Sequence, residues 1–356
     1  MEHRTCRQWP SCPTKDNENS QPCACASDLE ASEKARIVTL QSLRSILLAR
    51  TQQITSLEHL VQYGRALDLS REAIQLEPTA DSTLGAVFTL AIIEMVSCES
   101  LEDMQRSLLH LDAAVRIILQ RNVDELQNKV EFYLILQLKF FIISQNLLRA
   151  HRVGDYLLEP TKIASHLQQG PEEHIDRLIC ILGSLSHLQA DTRENKITNP
   201  EETYDRAMSI LNRLLAWNKG RQDSYSFIRS PSTSEPTLPE GYNVWACHAM
   251  NHYQSAQLLI ARILATYSSS RFSLELEGFG SDIRASVPFY LHFAGTGGSM
   301  SMCSNPVRGI LLLWPLVATA TTSTSVELRN WVKDCLRKIG KEMGVGQSLV
   351  LLKMIE

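Results

Sequence analysis

A chain of 356 residues with 44% apolar and 21% charged side chains can bury a sizeable core, in one large domain or two smaller ones. Its net charge of −4 and pI near 6.2 lack the basic footprint of nucleic-acid binding, so composition argues against direct DNA contact by this chain. The 16 glycines and 13 prolines are few for this length, which disfavours a turn-rich β architecture.

Residues 1–30 are polar, rich in Cys, Pro, Asn and Ser and without periodicity, and read as a disordered tail. From Ser32 apolar residues recur at helical spacing: Ile37, Leu40, Leu43, Leu47 and Leu48, then Leu57, Leu60, Val61, Leu67, Ala73, Ile74 and Leu76, up to a stop at Pro78. Asp81-Ser82 offers a cap for a helix from Thr83 to about Val96, whose all-round hydrophobicity predicts central burial. Ser100-x-x-Asp103 opens the next helix in capping-box style, to about Gln120. A long apolar helix runs from Asp124 to about His151. After Pro160 and Gly170-Pro171, helical patterns return over 172–189 and 200–217, the second with Asn199 placed to cap and Pro200 at the first helical position.

Pro231, Pro236 and Pro239 mark a mobile loop at about 228–241, either within one domain or at a boundary between two. Beyond it, 244–267 reads as a long helix and 279–285 as the start of another. A Gly/Ser/Met-rich loop follows over 294–306, and two final helices close the chain. No run alternates with period two for long, so the fold class is all-α, a compact multi-helix bundle-like domain over 31–356. The most apolar runs, 132–143 and 310–320, fall short of the ~20 residues a membrane-spanning helix needs and are interrupted by Lys139 and Pro315. They read as buried core helices of a soluble intracellular protein, with no membrane partner. No secretory signal pattern is evident.

The candidate chemistry is sparse. Cys6, Cys12, Cys23 and Cys25 show no C-x-x-C pair, and Arg4, Arg7 and Lys15 are outnumbered by Glu2, Asp16, Glu18, Asp28 and Glu30. Zinc wants thiolates pre-arranged on tight turns, so no zinc site is expected there. Cys98, Cys180, Cys247, Cys303 and Cys335 sit singly in apolar contexts and read as small buried hydrophobes. Tyr63–Pro78 has the look of the second helix of a tetratricopeptide repeat, but no second copy follows at that period. Gly295–Ser299 lacks the lysine of a phosphate loop, and Gly278–Ser281 places its serine wrongly for a nucleophile elbow. His248 and His252 share a helix face at i, i+4 without the glutamate of a zinc-protease motif, and read as packing residues. No carboxylate pair suggests acid–base work. No catalytic residue, cofactor or metal is expected.

One stretch is more specific. Residues 309–346 place Leu312-Leu313-Trp314-Pro315-Leu316 before a Thr/Ser turn, then a helix with Trp331, Val332, Leu336, Ile339 and Gly340, then Gly344 and Ser348. Upstream stand Tyr242-x-Val244-Trp245, His252-Tyr253-x-x-Ala256-x-x-Leu259 and Ser286-Val287-Pro288-Phe289. Two helical segments, Thr83–Leu90 and Leu109–Ile118, precede them, with Arg121-Asn122 where Arg-Gly is usual. In order and spacing these resemble the fungal-specific regulatory domain of binuclear zinc-cluster transcription factors, over roughly residues 45–356.

The resemblance implies a nuclear regulator of a metabolic or secondary-metabolite gene set, not an enzyme, working through other transcription regulators or a DNA-binding partner. It also carries the expectation of a homodimer. It implies structural roles for Tyr242, Trp245, His252, Tyr253, Pro288, Trp314, Pro315, Trp331 and Gly340. The zinc cluster of the family is not recognisable in residues 1–30. Two alternatives stay open: a truncated DNA-binding factor of the same family, and a helical adaptor unrelated to transcription.

Overall fold

A computed structural model describes residues 56–77, 80–120, 129–161, 171–197, 199–220, 244–266, 273–291 and 306–356. Among these residues the secondary structure is entirely helical, as expected. The helices are α1 (Ser56–Leu76), α2 (Asp81–Val96), α3 (Leu101–Gln120), α4 (Lys129–Arg149), α5 (Pro171–Arg193), α6 (Pro200–Lys219), α7 (Val244–Ala265), α8 (Ser273–Leu291), α9 (Pro306–Thr322), α10 (Val326–Glu342) and α11 (Gly346–Ile355), with a single 3-10 turn at Asp155–Leu157. The tail of residues 1–30, the helical pattern over 32–48 and the loops at 228–241 and 294–305 lie outside the described residues.

Local capping explains several boundaries. Asp103 accepts from the backbone N–H of Ser100 and Glu99 at 2.9 and 2.8 Å while Ser100 Oγ accepts from Asp103 N at 3.2 Å, a reciprocal capping box at the head of α3. Asn199 Oδ1 accepts from Glu201 N at 2.9 Å, with Pro200 at the first helical position of α6. Ser325 Oγ caps α10 through Leu328 N.

Three expectations need correction. Asp81 lies inside α2, and the cap position falls to Ala80, which has no side chain to offer. The helix expected around 279–285 runs from Ser273 to Leu291, carrying Gly278 and Gly280 within it; Gly280 is tolerated because a Cβ there would lie 2.7 Å from Leu328 Cδ2. Three helices, not two, close the chain, because Gly344 adopts a left-handed φ of 68° and turns the backbone directly into α11.

α9 is the hub. It packs on α7, α8, α10, α11, α4 and α2. A helix apolar on every face demands such surroundings, and residues Gly309–Leu316 are all buried. Pro315 sits inside it and withdraws one backbone donor, a local cost set against the extensive burial of the surrounding apolar side chains. α4 and α5 run side by side, and the chain between them turns back along their seam. His151 O accepts from the Ser186 hydroxyl, the His187 ring bonds Val153 O at 2.8 Å, and Thr161 N donates to Asp176. Gly183 lets this return strap pass: a Cβ there would lie 3.1 Å from Leu157 O.

Candidate functional site

All the motif residues assigned structural roles except Tyr242 fall on α7–α10, so the site is built around α7 where it faces α4 and α9. α7 is unusual in burying many polar side chains: His248, Asn251, His252, Gln254, Ser255 and Gln257. His252 is fully buried. Its Nδ1 lies 3.0 Å from His248 O, and a carbonyl only accepts, so Nδ1 carries the proton. Nε2 then accepts from the Ser144 hydroxyl of α4 at 2.8 Å. The ring contacts Phe140 at 5.2 Å, His248 at 4.1 Å and Trp314 of α9 at 4.9 Å between centroids. Burial pushes the His252 imidazole down to about 3, opposed by its bond to the His248 carbonyl. His248 lies well below its ordinary value, through burial first and its histidine neighbour second. Two imidazoles held neutral in a dry aromatic box pin α4, α7 and α9 together; they are not set up to exchange protons with solvent.

The other motif residues scatter. Tyr253, next in sequence, points about 100° round the helix and meets Trp217 of α6 at 5.4 Å. Trp217 in turn stacks on His174 at 4.5 Å and donates its indole N–H to His174 O at 2.7 Å. Adjacent in sequence, His252 and Tyr253 therefore serve different seams. Trp314 and Pro315 are buried in α9. Trp331 is half-buried on α10 under the Arg284 guanidinium of α8, 5.7 Å from its ring. Gly340 lets α11 close on α10, since a Cβ would lie 2.8 Å from Ser348 Oγ and still nearer Leu349. Trp245 and Pro288 sit on α7 and α8 with side chains outside the described set, and Tyr242 lies outside the described residues altogether.

Several polar locks had no sequence signal beyond a charge inside an apolar run. Lys139 Nζ bonds Asp176 at 2.8 Å, with both side chains buried. Asp191 takes two bonds from Arg152, at 3.0 and 3.2 Å, and one from Arg206 at 2.9 Å, and these guanidinium bonds draw its carboxyl below the usual range against the desolvation that raises it. Gln145 and Gln347 exchange amide bonds at 3.2 and 2.6 Å, tying α11 to α4. Cys98, Cys180, Cys247 and Cys335 are buried as free thiols, as their apolar contexts predicted; Cys303 lies outside the described residues.

Among the described residues no group of three His, Cys, Asp or Glu could hold a metal, and no helix is long and apolar enough to cross a membrane. A cavity of about 20 Å³ beside Lys139, between α3, α4 and Tyr156, has room for a water. What the arrangement does is mechanical: it fixes the relative placement of helices.

Residues 45–356 match the fungal specific transcription factor domain. The chain belongs to this family. The family is one of transcription factors rather than enzymes, in keeping with a site of packed, neutral histidines. Among curated proteins, Transcription factor dbaG of Emericella nidulans is 24% identical to this family member over 223 residues, covering 52% of each chain. The match thus spans about half the length of that relative. No solved structure matches.

Proposed function

We propose that this transcription factor domain acts in the nucleus as a regulator of a metabolic or secondary-metabolite gene set, through contact with a DNA-binding partner or other regulators rather than by holding DNA itself. The observation that carries this reading is the family match over 45–356, set beside a net charge of −4 and four early cysteines with no C-x-x-C spacing. Phosphate neutralisation is the main source of DNA affinity and needs a cluster of cations this chain does not show in its balance of charge. A fluorescent fusion at the native locus should accumulate in the nucleus. The purified chain, titrated with labelled duplex DNA at low and physiological salt, should show no salt-sensitive binding.

Tight binding that weakens steeply with salt would favour the second reading, a truncated DNA-binding factor of the same family. Cytosolic retention, with transcripts unchanged on deletion, would favour an adaptor outside transcription.

A further inference from the structure

α1 differs from the other helices in how it is held. Its one extended contact among the described helices is with α2. The described side chains it buries are small: Ala66, Ser70 and Ala73. Val61 and Leu76 are 59% and 45% exposed. Tyr63, Leu67, Leu69 and Ile74 are only partly buried against the core, and a polar cluster joins α1 to its neighbours. Tyr63 donates its hydroxyl proton to Glu94, a buried carboxylate in the last turn of the apolar α2. Arg106 Nε donates to the other oxygen of Glu94 at 3.2 Å, and Arg106 also pairs with Asp103 at 2.7 Å. His110 Nε2 lies 3.2 Å from the Tyr63 oxygen and 4.0 Å from Glu94. Because the Tyr63 proton goes to Glu94, the His110 ring N–H is the donor to Tyr63. One phenol thus joins α1 to both α2 and α3.

We infer that α1 is a latch: it opens from the core as a unit, ahead of the other helices, and the Tyr63–Glu94–His110 relay is what keeps it shut. The inference is independent of the function proposed above. Opening it would uncover Glu94 between Arg106 and His110. Burial and the Glu94 carboxylate push the Tyr63 phenol far above its ordinary range, so Tyr63 stays a donor throughout the working pH range.

Hydrogen exchange on the full chain tests this. In the unmodified protein, amides of residues 66–76 should exchange well ahead of those in α2 and α9. Tyr63→Phe should speed α1 exchange about tenfold, the loss of one well-made bond to a charged group, with α5, α7 and α9 unchanged. Glu94→Gln should act in the same direction, and the double variant should cost less than the two single effects combined. Exchange of α1 at the rate of α2, or a Tyr63→Phe effect spread evenly over all helices, would overturn the latch. The measurement on the unmodified protein stands even if either variant folds poorly.

Discussion

Lys139 and His252 show what a single polar residue costs and does in this core. Lys139, in the apolar run 132–143, is met by Asp176 and by the Glu159 carbonyl, and Asp176 also receives Thr161 N from the return strap. Lys139→Met would leave a buried carboxylate without its cation and should destabilise by about 3–5 kcal/mol. Pairing it with Asp176→Leu should recover much of that, read from chemical denaturation. Simple additivity of the two losses would contradict the account.

The histidines give a pH signature. His248 and His252 are neutral in the fold, with values depressed below the ordinary 6.5, while the unfolded chain protonates them near 6.5. The unfolded state therefore binds more protons below that value. The stabilising effect is whole above pH 6.5 and falls away as pH drops towards the folded value of about 3 for His252. Between pH 7 and 5 His252 should cost about 2 kcal/mol of stability, and His248 should act in the same direction. His252→Gln should flatten the curve over that window; an unchanged slope would show that His252 is not buried as a neutral ring.

At the scale of helices, α11 is the most exacting. Its first residue, Gly346, meets the C-terminal end of α2, where a Cβ would lie 2.7 Å from Val96 O and closer still to Cys98 O. Neither is a side chain that can swing aside, so Gly346→Ala should cost at least about 2 kcal/mol through overpacking against backbone. Gln347→Leu should cost about 1–3 kcal/mol by stranding the Gln145 amide, whereas Gln145→Leu with Gln347→Leu should come close to neutral. Both follow from thermal or denaturant midpoints.

Helices whose ends carry local chemistry were legible in the sequence: Ser100 with Asp103, and Asn199 with Pro200, act over two to four residues and read directly. α8 extends beyond the 279–285 pattern to Ser273–Leu291, and its Gly280 faces Leu328 on α10. α11 has 10 residues, too few to display a period. Pairings such as Gln145 with Gln347 are set by the tertiary fold alone, so no local pattern announces them. The motif residues were recognisable as a set, yet their grouping was not: adjacent residues on a helix face different neighbours, which is why His252 and Tyr253 part company.

At the scale of the molecule, the described residues form a scaffold organised on α9, with polar locks at the seams and α1 packed chiefly on α2. Nothing in its charge balance favours nucleic acid, and its family is that of transcription factors. Under the function proposed above, this scaffold regulates by presenting surfaces to partners at a promoter. The most direct measurement is a tethered reporter: the full chain fused to an unrelated DNA-binding module, with the cognate site upstream of a reporter gene. The account predicts that tethering raises or lowers transcription and that the same chain without the module has no effect on that promoter. A tethered chain that leaves the reporter unchanged while remaining folded and nuclear would contradict it.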